Sequence, residues 1–177
     1  IFVAINLTMK RLIIIILSFP ITLILYILLF SGNIKYGEEI VINANIDTVS
    51  DLFDNPYNMV EYMQGIKKYE LISGEIREVG AKAEITAIVG ESKIIMLEEV
   101  IINNLPEEKK VTYEADRVYN IVSTKLIRIS EKQTKLINKQ EFKFRGYMKI
   151  MAFFMSSAFE HQSRVYLDSF KEFVENQ

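Results

Sequence analysis

The chain of 177 residues has no cysteine, no tryptophan and a single histidine. Without cysteine there is neither a disulfide framework nor a thiolate metal site. With His161 alone, a zinc site would have to be built almost wholly from carboxylates, so no metal is expected. The seven glycines form no phosphate-binding loop, dinucleotide fingerprint or nucleophile elbow. Catalysis needs an acid, base or nucleophile with a partner, and such pairs are also missing. His161 follows Glu160 on a predicted helix with nothing marked to orient it. Glu98 and Glu99 are adjacent, so on a strand they face opposite ways and cannot act together. No catalytic residue and no cofactor is therefore assigned. A basic stripe is lacking too. Apart from Lys10 and Arg11, the chain carries 19 basic against 23 acidic residues, a net of −4, which makes nucleic acid an unexpected partner.

One long hydrophobic run is present. Leu12 to Phe30 contains no charge, and only Ser18, Pro20 and Thr22 interrupt its apolar character. As a helix it would be about 28 Å long, close to the hydrocarbon thickness of a bilayer. It has no polar stripe, which argues against a buried core helix. The run is longer than a signal-peptide core, and Leu29-Phe30-Ser31-Gly32 is a poor cleavage site, so a retained anchor over residues 12–30 is expected. Lys10 and Arg11 before it predict a single-pass membrane protein whose remaining chain lies outside the cytoplasm. Met9 is a more natural start than Ile1, and residues 1–11 read as an N-terminal extension.

The body, residues 36–177, begins with a strand near Glu38 to Asn43. Asp47 is a good helix N-cap, followed by Val49, Leu52 and Phe53 at helical spacing. Asp54-Asn55-Pro56 stops that turn, and Pro56 can open a second short helix carrying Met59, Val60, Tyr62 and Met63, which Gly65 ends. Strand signals follow at Ile66–Ser73, Ala81–Val89, Ser92–Ile102, Lys109–Asp116, Val118–Ile129 and Thr134–Phe144. Short turns join them, so the sheet is expected to be antiparallel. The stretch from Ser92 is apolar on both faces apart from Glu98 and Glu99, and its inward face stays open. A long helix from about Tyr147 to Phe173 closes the chain. One sheet and one long helix bury both apolar faces when the sheet curls around the helix. The predicted class is α+β.

In the last strand, Lys135, Lys139, Glu141 and Lys143 mark the solvent side. That turns Asn138, Gln140 and Phe142 inward, with Leu136 and Phe144. Two inward amides either bond to adjacent side chains and water or serve as the few polar groups of an apolar pocket. The closing helix carries Met148, Met151, Met155 and Phe159 at three- and four-residue intervals, so they share one side. Core packing accounts for any one methionine; several together also suit a pliable wall for a hydrophobic ligand.

Glu39 to Asp54, followed by Asn58 to Ile66, resembles the START/Bet v 1-like superfamily, also called the SRPBCC or polyketide cyclase/dehydrase family. Glu70-Leu71-Ile72-Ser73-Gly74 with Gly80-Ala81-Lys82 is similar to its second and third strands, and Gly146 to Val174 to its C-terminal helix. The resemblance covers roughly residues 36–175 and implies a helix-grip fold. In that fold a seven-stranded antiparallel sheet wraps around the C-terminal helix, with two small helices sealing one end. It also implies a hydrophobic ligand or lipid, and in a minority of members cyclase or aromatase activity. A tryptophan is common in the family where Tyr62 stands; tyrosine keeps an aromatic wall there. The resemblance carries over no catalytic residue. The expected cavity is lined by Tyr62, Asn138, Gln140, Phe142, Met148, Met151, Met155 and Phe159. The expected protein is a monomeric, membrane-anchored, non-enzymatic carrier of a hydrophobic small molecule. A cyclase- or dehydratase-type enzyme using the same cavity, or an interaction domain whose cavity has collapsed, are the alternatives.

Overall fold

The computed structural model describes residues 7–177. The expected N-terminal extension falls partly outside them, and its described part, residues 7–11, is already helical. Helix α1 (Leu7–Phe30) continues through the apolar run, and Arg11–Phe30 is long and apolar enough to cross a membrane. Its side chains are exposed along most of its length, whereas Ile27 near its end is fully buried.

Only Ser31 and Gly32 separate α1 from β1 (Asn33–Ile42), so the first strand starts earlier than the sequence suggests. Gly32 has a φ of 122°, and a Cβ there would lie 2.9 Å from Lys149 Cγ. Glycine is the residue that turns this corner without strain. The Gly32 carbonyl accepts from the Phe144 amide at 2.7 Å, which joins the corner to the sheet.

Helix α2 (Ile46–Asp54), a 3₁₀ turn (Pro56–Asn58) and α3 (Met59–Tyr62) come next. The N-cap of α2 is Asn45, whose side-chain oxygen accepts from Thr48 N at 2.8 Å. Asp47, the expected cap, instead lies in the first turn, where its charge suits the helix's positive end. Strands β2 (Ile66–Ser73), β3 (Lys82–Val89), β4 (Ser92–Asn104), β5 (Glu108–Ala115), β6 (Val118–Ser130) and β7 (Gln133–Phe144) complete the sheet. The order is β1-β7-β6-β5-β4-β3-β2, antiparallel throughout, with β1 pairing to the last strand from Asn33↔Lys143 to Ile42↔Thr134.

The closing helix is broken. The chain forms α4 (Met148–Phe154) and α5 (Ser156–Glu175), with Met155 between them at φ −121°, ψ 22°. The two parts have different partners. α4 packs on α1, where Lys149 Nζ donates to Leu28 O at 2.8 Å, and α5 lies in the curl of the sheet. One straight helix could not serve both. The bend still satisfies the backbone, since Met155 N bonds Met151 O and Ala158 N bonds Met155 O.

The solid core lies at the far end of the sheet from α1. There Leu167, Phe170 and Val174 of α5 pack with Ile40, Ile42, Val49, Leu126 and Leu136. Asp54 ties the same end together, accepting from Lys109 Nζ at 2.8 Å and Asn103 Nδ2 at 2.9 Å. Tyr36 fastens the near end of α5 to β1 by bonds to Phe159 O at 3.0 Å and Ser163 Oγ at 2.7 Å. Burial pushes the Tyr36 hydroxyl up to about 12, so it stays a neutral donor.

Candidate functional site

Between the sheet and the first half of α5 lies a cavity of about 310 Å³. Its walls are mainly apolar: Ile66, Ile85, Ala87, Met96, Val111 and Val122 from the sheet, Met59 and Met63 near α3, and Phe159 and Leu167 from α5. Beside it the Phe142, Phe144 and Phe159 rings pack α5 onto β7, with centroids 5.1–5.8 Å apart.

The structure sorts the sequence-predicted residues into two groups. Tyr62, Asn138, Gln140, Phe142 and Phe159 line the cavity. Met148, Met151 and Met155 do not. They lie on α4 and at the bend, where Met151 is 45% and Met155 47% exposed. Their shared spacing is real on α4, but α4 turns away from the sheet, so the face they share is not a cavity wall.

Asn138 and Gln140 belong to a ladder of polar side chains across β6 and β7. Asn120 Nδ2 donates to Gln140 Oε1 at 2.9 Å, Gln140 Nε2 to Asn138 Oδ1 at 2.8 Å, and Asn138 Nδ2 to Thr124 Oγ1 at 2.9 Å. The register Thr124↔Asn138 and Val122↔Gln140 puts these side chains on one face of neighbouring strands. The ladder ends at Asn120 Oδ1, a buried acceptor with no protein partner. A buried group of this kind costs about 1–3 kcal/mol until something bonds to it. A hydroxyl or N–H on a ligand would do so.

The opposite wall holds a group that the sequence left undecided. Glu98 faces inward and is 5% exposed. Tyr69 donates to its Oε1 at 3.2 Å, and Tyr113 stands directly opposite it on β5. Burial raises the Glu98 carboxyl above its ordinary value, with the Tyr113 and Tyr69 hydroxyls and the Lys109 charge opposing. Burial likewise raises the Tyr62, Tyr69 and Tyr113 phenols, and the nearby Glu98 charge adds to it. The signal was present in the turn. β3 and β4 join through Gly90-Glu91, a two-residue hairpin loop, and that length fixes Val89↔Ser92 and hence Ala83↔Glu98. Since Ala83 is buried, Glu98 must share its face. His161 is exposed on α5 and is not a cavity residue. Among the described residues no cluster of His, Asp or Glu is arranged to hold a metal ion.

No protein-family model and no curated protein matches the sequence. Solved structures do match the shape. The Zhui aromatase/cyclase from Streptomyces sp. R1128 superposes with a TM-score of 0.70 at 13% identity, covering 81% of this chain and 94% of that one. A truncated norcoclaurine synthase from Thalictrum flavum gives 0.65 at 14% identity, covering 83% and 96%. A protein of Thermus thermophilus gives 0.67 at 14% identity, covering 80% and 97%. The fold is the Bet v 1-like helix-grip fold. At these identities the likeness speaks for the helix-grip architecture and leaves its use to the cavity.

Proposed function

We propose that this protein is a membrane-anchored binding or carrier domain for a hydrophobic small molecule or lipid, with α1 as the anchor and residues 36–177 as the ligand-binding domain. The observation that carries it is the cavity itself, apolar over most of its wall and furnished with an unsatisfied acceptor at Asn120. Apolar area supplies the affinity, and the amide ladder and Glu98 fix the polar groups of the ligand. The Lys10 and Arg11 flank favours an extracytoplasmic domain.

Glu98 supports a second reading. A carboxyl whose proton is held more tightly by burial, beside two phenols and inside a cavity, is a proton donor of the sort that cyclisation or dehydration uses. Binding is favoured because the amine that lines the same cavity, Lys109, is engaged by Asp54 at 2.8 Å rather than free to act on a ligand. Tyr69 points its hydroxyl at Glu98 itself, and Tyr113 faces Glu98 from β5.

Native mass spectrometry of the full chain, released from bilayer nanodiscs, tests the binding reading. The expected spectrum shows the protein carrying one small apolar molecule, and Val122→Trp should lack it. A spectrum of bare protein alone from lipid-loaded discs would overturn the reading.

A further inference from the structure

Strand register shows which end of the sheet carries the cavity mouth. Asn33 pairs with Lys143, Val118 with both Phe144 and Ala115, and Val89 with Ser92, so these positions lie together at the end nearest α1. The deep wall, with Glu98, Thr124, Asn138 and Leu167, is buried. The wall at the α1 end includes Val89, 61% exposed, Ile94, 36% exposed, and the exposed Gln162. The cavity therefore opens at the end of the sheet from which α1 leaves.

Helix α4 stands at that same end with an apolar surface that nothing among the described residues covers. Met151, Phe153, Phe154 and Met155 are 45–67% exposed. On its other side α4 is buried against α1, where Ala152 is 1% and Ile27 0% exposed and Lys149 Nζ holds Leu28 O. Its depth follows from α1. Ile27 and Leu28 belong to the last turn of the apolar helix, which in a membrane lies at the boundary between acyl chains and headgroups. The Ser31-Gly32 linker spans at most about 11 Å, so the domain cannot withdraw from that boundary. Exposed aromatic and methionine side chains at this depth are covered by lipid.

We propose that α4 is immersed in the membrane interface beside the end of α1, so that the cavity mouth sits on the bilayer and exchanges an amphiphilic lipid with it directly. This rests on the reading of α1 as a membrane anchor. The occupant of the α4 surface is the bilayer itself, because the surface is continuous with α1 and is apolar rather than strongly charged.

The full chain contains no cysteine, so single cysteines report single sites. Phe154→Cys and Met151→Cys, spin-labelled in phosphatidylcholine nanodiscs, would be compared with Leu25→Cys in α1 and Glu131→Cys in the β6–β7 turn. Accessibility to oxygen and to a water-soluble nickel reagent reads the depth. The expected result is lipid exposure at positions 25, 151 and 154 and water exposure at 131. Lipid exposure at 25 with water exposure at both 151 and 154 would overturn the proposal and leave the anchor standing. Water exposure at 25 would overturn both. Phe154 and Met151 are independent positions on α4, and a folded disc-bound protein is verified by the position 131 label.

Discussion

Tyr69 on β2 reaches across β3 to donate its hydroxyl to Glu98 on β4, 3.2 Å from Oε1. The bond crosses two strand pairings, and its acceptor is a carboxyl that burial holds above its ordinary value. An acidic side chain in the protein's interior thus gives up its proton less readily than a free carboxyl does.

The pH dependence follows from that relationship. The folded pKa of Glu98 exceeds the unfolded value, near 4.5, so folding takes up a proton between them. The contribution is fully present below the unfolded value and is lost as pH rises through the folded one. Each unit of separation corresponds to about 1.4 kcal/mol. Glu98→Gln cannot ionise. Thermal unfolding in nanodiscs should show the variant level with the parent at pH 4 and more stable at pH 8. Equal melting temperatures at both pH values would remove Glu98 from the account.

The amide ladder makes a second, asymmetric prediction. Asn138→Leu strands the Thr124 hydroxyl and the Gln140 amide, which should cost about 1–3 kcal/mol. Asn120→Leu removes the group whose oxygen is already unpaired, so its stability cost should be smaller while ligand binding suffers more. Melting temperature and bound-ligand mass for the two variants should move in opposite order.

A third prediction separates packed core from cavity wall. Phe144 is 3% exposed, meets Phe142 and Phe159 at centroid distances of 5.8 and 5.1 Å, and does not border the cavity. Phe144→Ala should cost about 3–5 kcal/mol, as for other buried aromatics. Phe159 borders the empty space, so Phe159→Ala should cost clearly less by the same unfolding measurement.

The strand pattern and the short helices were legible in the sequence because each rests on local periodicity, whereas the helix-grip architecture came from the family resemblance. Lys135, Lys139 and Lys143 on the outer face were enough to turn Asn138 and Gln140 inward. The break at Met155 was not legible, since residues 148–174 keep a helical apolar pattern throughout. What bends them is a tertiary competition between α1 and the sheet, and no local signal records it. The same bend moved Met148, Met151 and Met155 out of the cavity wall. Glu98 was hidden for another reason. Its strand is apolar on both faces, so its side depended on the register across Gly90-Glu91 rather than on its own neighbours.

The central claim is that the space under α5 holds a hydrophobic ligand. The most direct test is the uptake of a fluorescent fatty acid by the full chain in nanodiscs, compared with Val122→Trp and with empty discs. In a packed core the added bulk would cost about 1–3 kcal/mol. In this cavity it should enter the open space that Val122 lines. The account predicts saturable uptake by the parent, at least a tenfold loss of affinity in Val122→Trp, and a melting temperature close to the parent's. Uptake by the parent no greater than by empty discs, together with a variant that melts several degrees lower, would show a filled core and contradict it.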